Sequence, residues 1–517
     1  MTDDLWLEPL DRPDLLGDCL ARVATTDPDR PFAVFVDDGR ELSYGELDRA
    51  ASRFANGLRE RGVEPGAFVA IMLRNVPEML VAQYGAFMAG VVAANINADF
   101  RGPALARMLD VTGASHLVTS VEFNDVLQPV LGKIGLRPTV VVVDGDATGE
   151  ALAWEEFLSW DEARPDVALH PTETAAVLFT SGTTGVSKGC LLSHRFAITS
   201  AATVVRALQM SQDDCIYTPY PLHHYAATFN DVLPAMLVGG RVAIRRRFSV
   251  SSFWPDIRQH GGTIFEFIGS TAKLLADAPS QPDEADNPAR VFWGGPLPAD
   301  ERAFCERFGL HLTGSFGSTD MNNVTYRRTF SGEPEGSVGV PVPLFDLRVA
   351  DEYDDPVAPG EMGELLVRPR EAGLLSSGYL GMPEATAEVW RNLWYHTGDY
   401  VRFDEGGHMW YLGRKTESLR RSGENVSTHE VEEGLHLHPR VVEAAVVGIP
   451  SPLGEQLVKA FVVLREGPLL SGEDLCADCA EHMAKFMIPD VIEFIDEMPR
   501  TPTGKVAKAE LEAASRS

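Results

Sequence analysis

Apolar and polar positions in the first 170 residues switch repeatedly between a helical and a strand period. Leu47, Ala51, Phe54 and Leu58 recur at helical spacing behind Ser43 and Glu46, an S-x-x-E capping box, and Gly62 follows where such a helix would stop. AFVAIML (67–73) is a short apolar run, the pattern of a buried strand. MLVAQYGAFMAGVVAA (79–94) is apolar all round and predicts a buried helix, too short and too interrupted by Gln83 to span a bilayer. HLVTS (116–120) and TVVVV (139–143) are further strands with a helical segment between them. Such alternation predicts α/β layers with much parallel sheet. AAVLF (175–179), RVAIRRRF (241–248), TIFEFIG (263–269) and RVFWGG (290–295) continue it with more glycine punctuation. From 346 to 411 short alternating runs predict antiparallel strands and hairpins in a small barrel-like part. From 412 a compact α+β module is expected, with VVEAAVVGIP, KAFVVL and a helix around 473–485. The expected division is therefore a large domain, 1–411, of layered mixed sheets with helices, and a small domain, 412–517.

Composition narrows the function classes. Of 517 residues, 44% are apolar and 23% charged, an ordinary globular balance. Lys and Arg number 45 against 75 Asp and Glu, a net charge of −30, which is poorly suited to nucleic acid. An anionic ligand must then be met by a few local cations or by backbone amides. Six scattered cysteines imply no disulfide framework, and MTDDLWLEPLDRPDLLGD carries acids where a secretory leader has bases. A soluble, cytoplasmic protein is the expectation.

LFTSGTTGVSKG (178–189) is the most informative segment. Positions 180–189 hold only Gly, Ser, Thr, one Val and Lys188, directly after a buried strand. Such a loop bares N–H groups and hydroxyls that can converge on phosphate oxygens. It is not a Walker loop, because Ser187 stands where the second glycine would be needed. CADCAEH (476–482) has metal-like spacing but lies in a helical stretch and lacks a fourth ligand, so Cys476 and Cys479 read as core or half-buried thiols. Arg245, Arg246 and Arg247 read as a solvated strand end, or as a contact for nucleotide phosphates.

T-S-G-T-T-G-x-S-K-G resembles the signature loop of the adenylate-forming superfamily, which includes acyl-CoA synthetases, luciferases and nonribosomal adenylation domains. Further blocks follow in that family's order: PLHHYAATFN (221–230), WGGPLP (293–298), GSFGSTD (314–320), WYHTGDY (394–400), YLGRKTESLRRSGENVSTHEVE (411–432) and PRTPTGKVAK (499–508). The hinge block, with RRSGENVS, is most similar to carnitine/crotonobetaine-type and medium-chain acyl-CoA ligases.

The resemblance implies an ATP-dependent acid–CoA ligase using ATP, Mg²⁺ and coenzyme A. Thr180, Ser181, Gly182, Thr183, Thr184, Gly185 and Lys188 would hold the β- and γ-phosphates. Gly294, Gly295, Pro296, Ser315, Phe316 and Gly317 would line the adenine site, with Phe316 in place of the usual tyrosine. Thr319 would touch the α-phosphate. Asp320 stands where the family has a Mg²⁺-binding glutamate; being one methylene shorter, it leaves direct ligation or a bridging water open. Asp399 would take the ribose hydroxyls beside Arg414, and Lys505 would bridge the acid and the α-phosphate. His224 would gate the acyl pocket or contact the thiol. His223, Tyr225, Asn230, Trp293, Met321 and Asn322 would line that pocket, and their polarity points to a small or functionalised acid. Thr416 stands at the hinge position, where Asp or Lys is usual, and Ser422, Gly423, Glu424 and Asn425 would line the pantetheine tunnel after rotation. Two rivals stand beside this reading. One is adenylation with another acceptor, such as a carrier-protein thiol or an amine, or activation of an unusual acid such as nitrite. The other is a non-catalytic nucleotide-binding member.

Overall fold

The computed structural model describes residues 14–515 except 146, 148, 181–186, 299, 330–331, 416–417, 422–423, 451–455, 481–482, 484–486 and 502–505. It divides into two compact units, 1–346 with 368–393, and 347–367 with 394–517.

The capping box fixes the start of one core helix of the first unit. Ser43 Oγ accepts from Glu46 N, Glu46 returns the bond to Ser43 N, and the helix Tyr44–Glu60 buries Leu47, Ala51, Phe54 and Leu58. Pro77–Ala89 is buried almost throughout, as its all-round apolarity requires. It is shorter than the apolar run that predicts it. Gly90 turns left-handed (φ 68°) and ends the helix, and Val92–Asn95 continues as a fully buried strand. Periodicity does not separate a buried strand from a buried helix, so the run 79–94 merges two elements.

Those helices, with His194–Ala207, form a layer between two sheets. On one side is a seven-stranded sheet, parallel but for its last pair, Thr174–Thr180 with Lys188–Ser193. On the other is a nine-stranded sheet whose central strands Arg241–Ile244, Cys215–Thr218, Ile264–Ile268, Val291–Gly295 and His311–Ser318 run parallel. Phe253, Phe265, Phe292 and Phe308 close the outer face of the nine-stranded sheet under its own helices. RVAIRRRF is a strand only as far as Ile244: Arg245 turns aside to pair with Asp256, which also accepts from Tyr217 OH at 2.9 Å. Arg246 N donates to Asp37 at 2.7 Å, so the arginine run begins as structure.

In the second unit, Gly363–Pro369, Trp394–Phe403 and Met409–Arg414 pair antiparallel, as the alternating runs predict. The three-stranded sheet Val441–Pro450, Gln456–Leu464, Val491–Phe494 is covered on both faces. Val446 packs with Val431, Leu435 and Leu475 on one side, and Val447 with Met498 and Leu511 on the other. Burial of both faces explains why VVEAAVVGIP shows no clean alternation. Cys479 is buried in that core, and Cys476 donates to Pro489 O; His482 lies outside the described residues. Among the described residues no helix is long and apolar enough to cross a membrane.

Candidate active site

The glycine-serine-threonine loop leaves the sheet at Thr180 and re-enters at Lys188. These two residues are antiparallel partners, and Thr180 Oγ1 donates to Lys188 O at 3.3 Å. Ser181, Gly182, Thr183, Thr184 and Gly185 lie outside the described residues. Lys188 Nζ lies 4.9 Å from the ring centroid of Tyr379, whose hydroxyl donates to Asp320 Oδ2 at 2.6 Å. Ser318 Oγ donates to Asp320 Oδ1 at 2.5 Å, and Ser376 N to its backbone carbonyl at 2.9 Å. A cation, an aromatic face and an oriented carboxylate are thus held in one chain. An oriented carboxylate is a hard oxygen donor, so Asp320 fits a Mg²⁺ held directly or through water. Tyr379 and Ser318 are absent from the sequence reading; the proximity of Tyr379 to Asp320 comes from the Cys190–Tyr379 bridge, which no local pattern shows.

Phe316, half-buried, and Gly317 sit on the strand His311–Ser318, which turns back into Asn322–Tyr326. A Cβ on Gly317 would lie 2.4 Å from Asn322 O, so only glycine allows the hairpin this closure. Thr319, Asp320 and the buried Met321 make its turn, and Ser315 pairs with Tyr326 one strand across. Gly294 runs at φ 145° with its ideal Cβ 1.9 Å from Phe267 O; Gly295 and Pro296 then emerge exposed at the carboxyl end of their strand.

The pocket candidates fall into two groups. His223 and His224 stack at 4.4 Å between ring centroids, and burial pushes both imidazoles below their ordinary range. Both are neutral at pH 7. Asn75 clamps the loop before them, accepting from Leu222 N and donating to Tyr220 O and Arg245 O. The second group is a buried polar network under a π-helical turn, Ala226–Val232. Tyr225 OH meets Ser200 Oγ at 2.5 Å and Asn322 Oδ1 at 3.3 Å. Asn230 Oδ1 accepts from Ser200 at 2.9 Å and from Asn323 at 3.2 Å, and Asn230 Nδ2 donates to Glu266 Oε1 at 3.4 Å. Asn322 holds a left-handed backbone (φ 70°), uncommon for a residue with a side chain, and its Nδ2 donates to Phe196 O. Trp293 is fully buried beside Glu266 on the neighbouring strand. Ser200, Asn323, Asp231 and Glu266 are additions to the sequence reading. Glu266 had a signal, a single acid inside the apolar strand TIFEFIG. Burial pushes its carboxyl up to about 8, and burial followed by the charge of Glu266 pushes Asp231 well above the carboxylate range.

In the second unit, strand pairing sets Asp399 opposite Arg414, and Arg414 Nε reaches Asp399 Oδ1 at 2.9 Å. Asp399 N donates to Thr397 Oγ1 at 3.0 Å, while Gly398 N and Lys415 Nζ both donate to the buried Glu364. Thr416, Ser422, Gly423 and Lys505 lie outside the described residues. Glu424 and Asn425 are in a strand paired with Ser418–Arg421. The segment carrying Lys505 is bracketed by an Arg500–Val506 bridge, and Arg500 is paired with Glu443 at 2.8 Å.

A layered α/β unit with a glycine-serine-threonine segment between two paired strands, and a small α+β module, match a nucleotide-binding enzyme class. The AMP-binding enzyme family matches residues 20–380 and the AMP-binding enzyme C-terminal domain matches 430–505, so the chain belongs to the AMP-binding enzyme family, within the adenylate-forming, AMP-forming ligase superfamily. It is 31% identical over 488 residues to a crotonobetaine/carnitine–CoA ligase of Proteus mirabilis, covering 92% of this chain and 93% of the relative. It is 30% identical over 477 residues to a feruloyl-CoA synthase of Amycolatopsis, covering 92% and 94%. The crystal structure of ATP-bound MatB from Rhodopseudomonas palustris superimposes with a TM-score of 0.86 at 25% identity, covering 97% of this chain and 99% of that one.

Proposed function

We propose that the protein is an ATP-dependent acid–CoA ligase. A carboxylate oxygen attacks the α-phosphorus of ATP and pyrophosphate leaves, giving an acyl-adenylate. The sulfur of coenzyme A then attacks the acyl carbonyl, the thiol proton passes to solvent, and AMP leaves. The observation that carries this reading is the Lys188–Tyr379–Asp320 chain beside the pinned ends of the phosphate loop. The relatives' names, a CoA ligase and a CoA synthase, support CoA as acceptor, and the RRSGENVS hinge block supports a place near the carnitine/crotonobetaine-type ligases.

The first half-reaction brings an anion to a polyanion. Two unit charges at ~4 Å repel by ~4 kcal/mol at an effective dielectric of ~20. In this reading Thr180, Ser181, Gly182, Thr183, Thr184, Gly185 and Lys188 offset that repulsion at the β- and γ-phosphates, Thr319 at the α-phosphate, and Lys505 between acid and α-phosphate. Mg²⁺, when bound at Asp320, supplies charge neutralisation at the phosphates. Phe316 stacks on adenine against Gly294, Gly295 and Pro296, and Asp399, oriented by Arg414, receives the ribose hydroxyls. The neutral His224 gates the acyl pocket without adding a charge to it. The domain 412–517 then turns about Thr416, exchanging Lys505 for the Ser422–Asn425 segment along the pantetheine path.

The test is AMP release over a panel of acids, with and without CoA. The reading predicts acid-dependent turnover that CoA accelerates, with a thioester product. Adenylate formation with no CoA acceleration and no thioester would instead assign another acceptor, and no acid-dependent pyrophosphate exchange would restore the non-catalytic reading.

A further inference from the structure

One amide side chain stands alone in the apolar run 79–94, that of Gln83. The helix Pro77–Ala89 buries it completely. Burying an amide costs stability unless a bond offsets the lost water, and an apolar side chain of similar volume would be buried there without that cost. The bond Gln83 makes is to the chain 139 residues on: its Nε2 donates to Leu222 O at 2.9 Å.

Leu222 is the point on which three buried side chains converge. His224 N donates to Pro221 O at 2.9 Å and closes a turn. Leu222, at its corner, finds no partner inside that turn for its own N–H and carbonyl. Asn75 Oδ1 accepts from Leu222 N at 2.8 Å, and Thr228 Oγ1 donates to Leu222 O at 2.6 Å beside Gln83. Both lone pairs of that carbonyl are then used. The three holders come from separate elements. Asn75 follows the strand Phe68–Met72 of the seven-stranded sheet, Gln83 is on the helix between the sheets, and Thr228 is in the π-helical turn. Asn75 spends its N–H groups on Tyr220 O and Arg245 O, just past the carboxyl ends of Cys215–Thr218 and Arg241–Ile244 in the nine-stranded sheet. Open α/β sheets bind ligands outside those ends.

The residue after Leu222 is His223, stacked on His224. Stacking sets the two rings against each other but not against the rest of the pocket; the backbone at Leu222 does that. A wall held in this way selects acids by shape, because a misfitting acid must break the Leu222 bonds to be accommodated.

We infer that Gln83, acting with Thr228 and Asn75, is a specificity-determining positioning residue: it fixes Leu222, so that the His223–His224 pair forms a rigid wall of the acid pocket. This rests on the acid-activating reading above, in which those histidines line that pocket.

The experiment compares the full-length enzyme with Gln83→Met, which matches the side chain's length and removes the donor, with Thr228→Val, which removes the second bond to the same carbonyl, and with both together. One readout needs no substrate: carbethoxylation by diethyl pyrocarbonate, mapped to single histidines by mass spectrometry. The other is pyrophosphate exchange with butanoate, benzoate, ferulate and carnitine. Labelling of His223 and His224 should quicken about fivefold in each single variant and further in the double, with His408 in the second unit unchanged. For the acid that wild type exchanges best, KM should rise roughly fivefold, the scale of one lost neutral hydrogen bond, while KM for ATP stays within about twofold. The ratio of kcat/KM between the best and second-best acids should narrow with it. Unchanged labelling would overturn the positioning. Faster labelling with acid KM and selectivity unmoved would overturn the specificity role, as would a parallel rise in both KM values. Exchange with no acid in wild type would overturn the acid-activating reading instead, and the labelling alone would still decide whether Gln83 holds the histidines.

Discussion

Tyr379 shows how one side chain can serve two ligands. Its ring faces Lys188 while its hydroxyl orients Asp320, so the proposed phosphate-binding cation and the proposed metal carboxylate share a support. Tyr379→Phe keeps the ring and removes the bond to Asp320. Losing a hydrogen bond to a charged group costs about 1.5–3 kcal/mol; roughly a tenfold rise in KM for ATP·Mg²⁺ is expected, with CoA transfer from supplied acyl-adenylate unchanged. An unchanged KM would remove Tyr379 from the nucleotide site. Asn322 is a second case, a left-handed residue whose side chain ties Tyr225 and Phe196. Asn322→Gly relieves the backbone and deletes the tie, Asn322→Ala keeps neither, and the alanine variant should be the less stable of the two in urea. The motifs exposed Asp320 and Asn322 as candidates. They could not expose Tyr379, because its role depends on a chain crossing and not on a local pattern.

At the scale of elements, two features follow from packing. Gly294 has no room for a Cβ, which would meet Phe267 O at 1.9 Å and force neighbouring central strands away from each other. Gly294→Ala should therefore yield little folded protein, a result read from soluble expression and near-ultraviolet dichroism. His194 opens the helix His194–Ala207 and accepts from Leu16 N at 3.3 Å, joining the helix Leu16–Thr26 to the core. Burial pushes its imidazole from 6.5 down to about 4. Between those values the unfolded chain binds the extra proton. The stability His194 contributes is whole above pH 6.5 and is lost as pH falls toward 4, by about 3 kcal/mol. His194→Gln should flatten the stability profile over that window; an identical slope in both proteins would contradict the assignment. Element type was legible where period and caps agreed, as in Tyr44–Glu60. It was not legible in 79–94, where a strand buried on both faces is as apolar as the helix before it. Nor was it in 241–248, where Asp256 draws Arg245 out of the strand.

At the scale of the whole molecule, the layered large domain and the small α+β module were legible from the helix–strand alternation and from the order of the blocks along the chain. Acid identity was less legible. Tyr225 and Asn230 could be picked out from one block and Trp293 from another, but the carboxyl pair beside them comes from two separated segments that only the tertiary fold joins. The central claim concerns the two half-reactions, which demand different partners at one acid. Lys505→Ala measures it most directly when the steps are assayed apart. Adenylate formation should slow by roughly 10²–10³, the scale of losing one transition-state donor. Thioester formation from supplied acyl-adenylate should stay close to wild type. Equal slowing of both steps, or of neither, would contradict it.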